Sequence, residues 1–413
     1  MAYVDDVAKG LGHKLLVVVD GKEGKPYYDI NDLIFSPDSQ HVAYIADVTK
    51  GLGHKLLVVV DGKEGKEYDK IDKLIFSPGS QHVAYRAKLG NKSFVVVDGK
   101  EGKQYDNVDK LIFSPDSQHV AYRAKLGDKW FIVVDGKEEK LDSNVEKLIF
   151  TPDSKHVLYL ADRWKDEDGN NMWFIVIDGK KEKEYDSVKN LIFSPNSQHV
   201  AYTARQSVPW TQWFIVVDGK EGKQYYDINN LIFSPDSQRV AYIAMSNAPQ
   251  KSFVVVDGEE GRKYDDIDNL IFSPNSLHVA FVAESDYKQF VLVDGEEGRQ
   301  YDGIDKLIFS PDSQHVAYTA YLGNNSFVVM DGKEGKQYDN IDRLIFSPDS
   351  QHVAYRAKLD NKWFVVVEGK EEGKQYDNIV GLGGGGINFS SPDSLHYLAL
   401  KGSSIYLVEE RLK

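Results

Sequence analysis

The sequence contains no cysteine. This removes disulfides, thiolate metal sites and a cysteine nucleophile together, and leaves packing and hydrogen bonding to hold the fold. It has no apolar run of about 18 residues, the length a helix needs to cross a bilayer. Its start, MAYVDDVAKG, lacks the basic-then-apolar order of a signal peptide. Positive charge is in deficit, with 50 Lys and Arg against 64 Asp and Glu for a net charge of −14. Phosphate binding is driven by Lys and Arg displacing counterions, so nucleic acid is excluded as the expected partner. These absences predict a soluble chain without membrane insertion. It would be cytoplasmic as the chain stands, or periplasmic or secreted if a native leader precedes it.

What is present is repetition. The tetrapeptide Ser/Thr-Pro-Asp/Asn/Gly-Ser begins at Ser36, Ser77, Ser114, Thr151, Ser194, Ser234, Ser273, Ser310, Ser347 and Ser391, at separations of 37 to 44 residues. That period belongs to propeller blades. Each unit holds four short segments, exemplified by Leu74-Ile75-Phe76 (a), His82-Val83-Ala84-Tyr85 (b), Phe94-Val95-Val96-Val97 (c) and Gln104-Tyr105-Asp106 (d). Val, Ile, Phe and Tyr bounded by Gly, Pro, Asn and Asp are a strand signature, and no segment is long enough for a typical helix. Segment c is apolar at successive residues, so it buries both faces, as in a sheet sandwiched between two others. Ser36-Pro37-Asp38-Ser39 predicts a tight a–b turn, and Asp20-Gly21 through Gly24 a c–d turn tolerant of positive φ.

The repeated LIFSPDSQHVAY followed by FVVVDG resembles the TolB-type, WD-like β-propeller repeats, which also form the propeller half of prolyl-oligopeptidase-type peptidases. The resemblance covers almost the whole chain. It implies an all-β fold, a single β-propeller of about ten four-stranded blades, with nine as the alternative count. Propellers host many activities, so a fold resemblance does not carry a function. The Gly-His and Trp-Asp pairs of true WD repeats are missing, and their hydrogen-bonded tetrad is not carried over. No G-x-S-x-G nucleophile elbow is present and no length remains for a hydrolase domain.

Segments a and d each occur ten times, but b and c occur eleven times, because residues 2–20 add a b–c pair that nearly copies 43–61. The expected organisation is one propeller over 1–413, with an N-terminal partial blade (b, c, d) in 1–30 and a C-terminal partial blade in 387–413. The closing blade would draw on both chain ends, since closure hides sheet edges. Either the C-terminal a, b and c take the N-terminal d, or the N-terminal b, c and d take the C-terminal a.

Identical positions are explained by packing, so function is sought where repeats differ. The b–c loops vary in length and chemistry, from KLGNK at Lys88 to DRWKDEDGNNM at Asp162 and RQSVPWTQ at Arg205. All six Trp fall in this loop or at the start of c, and Arg163 and Arg205 share their sector. Trp and Arg dominate binding hot spots. The candidate ligand-binding set is therefore Arg163, Trp164, Trp173, Arg205, Trp210 and Trp213. A competing structural reading has Trp130, Trp173, Trp213 and Trp363 capping blade cores at positions equivalent to Leu16.

Two further features have structural readings. His occupies nine of ten equivalent positions after the a–b turn, at His41, His82, His119, His156, His199, His278, His315, His352 and His396, with Arg239 in the tenth. Sheets packed face to face lie about 10 Å apart, too far for shared metal coordination near 2 Å, so these His are expected to anchor the turn. Asp166 to Asn171 resembles half a calcium loop, but Trp164 stands at the first ligand position and a solvated acidic loop is the simpler reading.

The resulting expectation is a non-catalytic, monomeric binding or scaffold module without cofactor or metal, whose b–c face takes a protein, peptide or small ligand. The alternatives are an enzyme with a carboxylate site on that face or in a central channel, and a structural or assembly repeat protein.

Overall fold

The structure, a computed structural model, describes residues 2–8, 13–48, 55–141, 143–163, 172–206, 212–380 and 386–412, with side chains apart from those at 7, 8, 13, 371–374 and 380. Every described regular element is a strand. No described helix is long and apolar enough to cross a membrane. The strands assemble into eleven antiparallel sheets in series, ten of four strands and one of three, an all-β multi-blade propeller architecture. Nine blades are complete. Their a strands are Asp29–Phe35, Lys70–Phe76, Asn107–Phe113, Asn144–Phe150, Ser187–Phe193, Asp227–Phe233, Asp266–Phe272, Gly303–Phe309 and Asn340–Phe346, and they are numbered blades 1 to 9 in that order.

The two end sheets are each incomplete. The N-terminal one holds Ala2–Ala8, His13–Val19 and Lys22–Glu23 in positions b, c and d. In the C-terminal one, Asn378–Val380 and Ile387–Ser391 continue one another along the same edge of Ser394–Lys401, so both belong to a single interrupted a strand. Ser404–Arg411 follows as c, and no d is paired to it among the described residues. Positions a and d are thus each filled ten times and positions b and c eleven times, as the repeat count implies.

Blade 2 shows how sequence becomes geometry. Its strands Lys70–Phe76, Val83–Leu89, Lys92–Val97 and Lys100–Glu101 pair in the order a-b-c-d. Val97 pairs with Lys100, leaving Asp98 and Gly99 as a two-residue loop with φ of 47° and 76°, the primed turn that matches strand twist. Lys100-Glu101, expected in the turn, is therefore strand d itself. The segment expected to be d contributes one bridge, Ser93 to Tyr105. Strand a starts upstream of Leu74 and bulges between Asp72 and Ile75, with Lys73 at φ 56°. The extra residue puts Ile71 and Leu74, three apart, into the same buried cluster.

The a–b turn is built by side chains. Ser36 Oγ donates to Asp38 Oδ1 at 2.5 Å and accepts the His41 amide at 2.9 Å, while Asp38 Oδ1 accepts the Gln40 amide. His41 Nδ1 lies 2.7 Å from Asp61 Oδ2, and Asp61 Oδ1 accepts the Val42 amide, so the aspartate of the c–d turn fastens the a–b turn beside it. Asp98 with His82 and Asp135 with His119 repeat this pair, and Arg239 substitutes for His against Asp257. Eight of the nine histidines anchor the turn in this way, as expected, with Glu368 in place of Asp at His352; among the described residues His396 makes no such bond.

Met1–Val188 and Lys189–Lys413 form two compact units, and in both the same contacts join neighbouring blades. Apolar side chains of one blade's c strand fill the space against the next blade's a and b strands, as Val58 does beside Ile71, Leu74 and Tyr85. The last Ser of a turn accepts an amide from the preceding blade: Asp38 to Ser80, Gly79 to Ser117 and Asp116 to Ser154 in the first unit, and Asp236 to Ser276 and Asn275 to Ser313 in the second. Deeper in, the bridge Tyr donates to the strand-d Glu of the next blade, as in Tyr68 to Glu101, Tyr105 to Glu138 and Tyr264 to Glu297. A Lys or Arg two residues before the Tyr pairs with the same carboxylate, as Lys66 does with Glu101 and Arg299 with Glu334. Burial pushes the tyrosine hydroxyls well above their ordinary value, Tyr264 to about 12.

Replacing Tyr105 with Phe keeps the ring but leaves Glu138 without its 2.6 Å donor. Hydrogen bonds to charged groups contribute about 1.5–3 kcal/mol, so urea unfolding of Y105F should show a loss near the lower end of that range because Glu138 keeps Lys103. Y28F, at an exposed tyrosine, should leave the midpoint unchanged. Equal midpoints for Y105F and the parent would show that the inter-blade hydroxyl is dispensable.

Candidate functional site

The face opposite the a–b and c–d turns carries the b–c loops and the d–a connections. In short-loop blades it is closed by an aspartate directly after the bridge Tyr. Asp106 accepts Lys92 Nζ from blade 2 at 2.7 Å and the Gly127 amide from blade 3 at 2.7 Å. Asp69, Asp265, Asp302 and Asp377 do the same at their junctions. The position is Tyr28 before blade 1 and Tyr226 before blade 6, and both of those blades have longer b–c loops. Hydrogen bonds from Lys and from the loop amide hold Asp69, Asp106, Asp265 and Asp377 below the usual carboxylate range. For Asp302 the Gly323 amide is the larger cause.

Trp164 and Trp210, and the acidic stretch Asp166 to Asn171, lie outside the described residues. In the first unit Trp173 is half-buried and faces Asp162 across the b–c pair. Arg163 pairs with Met172, one step along. Its Nη2 donates to Glu184 Oε2 at 3.2 Å, and Lys181 bonds the other oxygen of that carboxylate. The structure therefore neutralises Arg163 on a neighbouring Glu instead of opposing it to Trp173.

In the second unit Arg205 and Trp213 are brought together as a direct cross-strand pair. The guanidinium lies 5.4 Å from the indole centroid, and Lys189 Nζ lies 4.0 Å from it. Lys189 also bonds Asp227 Oδ1 at 3.2 Å. Arg205 Nε is buried and has no hydrogen-bond partner among the described residues. Sequence reasoning missed Lys189, although a signal was available: strand a carries Asp at the equivalent position in five blades.

The other strand-c Trp residues are half-buried and sit beneath arginines that are already neutralised. Arg123 lies 4.3 Å from the Trp130 centroid and binds Asp109 through Nε and Nη2 at 2.7 and 2.6 Å. Arg356 lies 5.2 Å from Trp363 and pairs with Asp342. These two fit the blade-capping role. The cap register is that of Leu15, not Leu16, because Leu15, Trp173 and Trp213 all pair with the bridge tyrosine that follows strand d.

The larger recesses lie elsewhere. At three inter-blade junctions on the turn face, cavities of about 380, 420 and 520 Å³ are walled by equivalent residues, such as Asp61, Lys63 and Tyr85 at one and Asp331, Lys333 and Tyr355 at another. A smaller one of about 230 Å³ opens beside Arg86 and Asp106. No three His, Asp or Glu gather to hold a metal among the described residues.

No protein family matches the chain, and no curated protein does. Among solved structures it is similar to one described as the eukaryotic initiation factor, with 11% identity, TM-score 0.41, 79% of this chain and 94% of that one covered. It is also similar to the β-propeller domain of the trilobed protease from Pyrococcus furiosus, with 13% identity, TM-score 0.32 and coverage of 66% and 94%. The Pyrococcus horikoshii acylaminoacyl peptidase gives 15% identity, TM-score 0.29 and coverage of 70% and 57%. These likenesses are distant, and the blade architecture stands on the sheets described above.

The lowered aspartates set a pH dependence with a definite sign. A carboxylate whose folded pKa is depressed contributes stability above its unfolded value, about 3.9 for Asp, and loses it as pH falls through the folded value. His41 is raised by its hydrogen bond to Asp61 and works in reverse, contributing below about 6.5 and losing that contribution as pH rises. Melting temperature should therefore peak between about pH 5 and 6 and fall below about pH 4, less steeply in high salt because these groups are exposed. A flat profile down to pH 3 would contradict the aspartate clamps.

Proposed function

We propose that the chain is a non-catalytic binding or scaffold module of the TolB-type, WD-like propeller kind, and that its b–c face takes a protein or peptide partner. The observation that carries this reading is where the repeats break. Turns, anchors and inter-blade contacts recur from blade to blade, whereas b–c loops change in length and the strand ends beneath them change in charge and aromaticity. Loops on a rigid scaffold are where recognition residues concentrate. Trp213 with Arg205 offers the large aromatic surface and guanidinium of a binding hot spot. No catalytic constellation is assigned, and Asp106, Asp109 and Asp227 near this face are engaged by Lys, Arg or backbone amides.

The test is quantitative affinity capture with the full chain and two variants. W213A should lose partners that the parent retains, with affinity reduced by at least about 1–2 kcal/mol, as hot-spot truncations are. H119N, on the turn face, should retain them. Loss through H119N with W213A unaffected would move the binding surface to the other face.

A further inference from the structure

Blade 5 alone inverts a charge. The third residue of strand a is Asp72, Asp109, Asp268, Asp305 or Asp342 in five blades, Glu146 in another and Asn31 or Asn229 in two more, but Lys189 in blade 5. Where this Asp faces an Arg across the a–b pair, the two charges satisfy one another, as Asp72 and Arg86 do at 2.6 Å. In blade 5 the fourth residue of strand b is Thr203, whose hydroxyl donates to the Lys189 carbonyl. The arginine has moved two residues along, to Arg205. Two cations therefore stand over one indole, at 4.0 and 5.4 Å. One nearby carboxylate, Asp227, accepts from Lys189 and from the Ile228 amide but not from Arg205 among the hydrogen bonds described, and the Arg205 Nε–H is buried without a partner.

We propose that Lys189, Arg205 and Trp213 form a carboxylate-binding site for an acidic side chain of a peptide or protein, a step that rests on the binding reading above and names its ligand class. The guanidinium offers parallel N–H donors along one edge, a geometry that matches a carboxylate, and the indole attracts the guanidinium through a cation–π contact. Lys189 adds a point charge. Counting Asp227, the cluster carries a single net positive charge, which suits a monoanionic carboxylate. The chain's overall −14 disfavours a dense polyanion approaching the same place.

The probe is an acetylated, amidated Gly-Glu-Glu-Gly peptide titrated into the full chain at low ionic strength, followed by calorimetry, with the Gly-Gln-Gln-Gly peptide and inorganic phosphate as separate arms. The Glu peptide should bind saturably, at least tenfold tighter than the Gln peptide, and weaken with salt. K189D, which restores the residue type of the sibling blades, and R205Q should each reduce binding at least tenfold with an unchanged melting temperature. R205K, which keeps the charge and loses the fork, should fall between the parent and R205Q and guards against misfolding of R205Q. Equal binding of both peptides, full binding by K189D, or saturable phosphate binding without peptide binding would each overturn the proposal. Partners captured through Trp213 but indifferent to K189D would sink this site and leave the binding reading intact. Peptide binding without any Trp213-dependent partner would do the opposite.

Discussion

The hydrogen bond from a bridge tyrosine to the strand-d glutamate of the next blade, made by Tyr27, Tyr68, Tyr105, Tyr225, Tyr264 and Tyr301, fixes how closely two neighbouring sheets stand. A sheet whose c strand is apolar on both faces has no stable existence alone, because it must be covered on both sides. The tyrosine follows the edge strand of one blade, packs edge-to-face on the strand-b ring of its neighbour, and finishes on a carboxylate two strands further out. Apolar burial supplies the attraction and is indifferent to direction. The hydroxyl, the turn Ser and the clamp Asp supply the registration. All three lie at fixed points of the repeat, which is why blade differences are confined to the loops beyond them.

Blade 5 shows what that confinement permits. Its strands, turns and anchors follow the common plan: His199 meets Asp218, Ser194 builds the turn, and Phe214 and Val216 are buried. The departures are Lys189, Thr203 and Arg205, and the Lys189 bond to Asp227 of blade 6 stands where Arg86 and Arg123 bond a strand-a carbonyl of the next blade. A cation at the third position of strand a in blade 3 would instead be set against Arg123, which lies half-buried on Asp109. The same substitution is tolerable in one blade and costly in another because the facing residue of strand b differs.

Much of this was legible in the chain. The count of a, b, c and d positions, the Ser-Pro-Asp-Ser turn, the anchoring role of the histidines and the two faces follow from spacing and turn chemistry. The location of strand d did not, because Lys-Glu reads as a charged turn until Asp-Gly is recognised as a complete two-residue loop. The inter-blade donors were also hidden, since Tyr105 and Glu138 lie 33 residues apart and neither is unusual locally. Lys189 could have been found by aligning the repeats on strand a instead of on the loops. Arg163 could not have been dismissed, because Glu184 reaches it only through strand pairing.

The closeness of the repeats has a consequence for how the chain reaches its native state. A strand such as Val83–Leu89 is matched nearly residue for residue by Val120–Leu126 and Val353–Leu359, so each could seat beside a neighbour's a strand with most native contacts satisfied. Such near-degenerate pairings are kinetic traps, and they worsen when many repeats are present at once. The b–c loops do not tell these three hairpins apart, because each joins its strands through two residues, Gly90-Asn91, Gly127-Asp128 and Asp360-Asn361. A longer b–c loop marks out only blades such as 1 and 6, so the hairpins of blades 2, 3 and 9 are the ones most open to mispairing during folding.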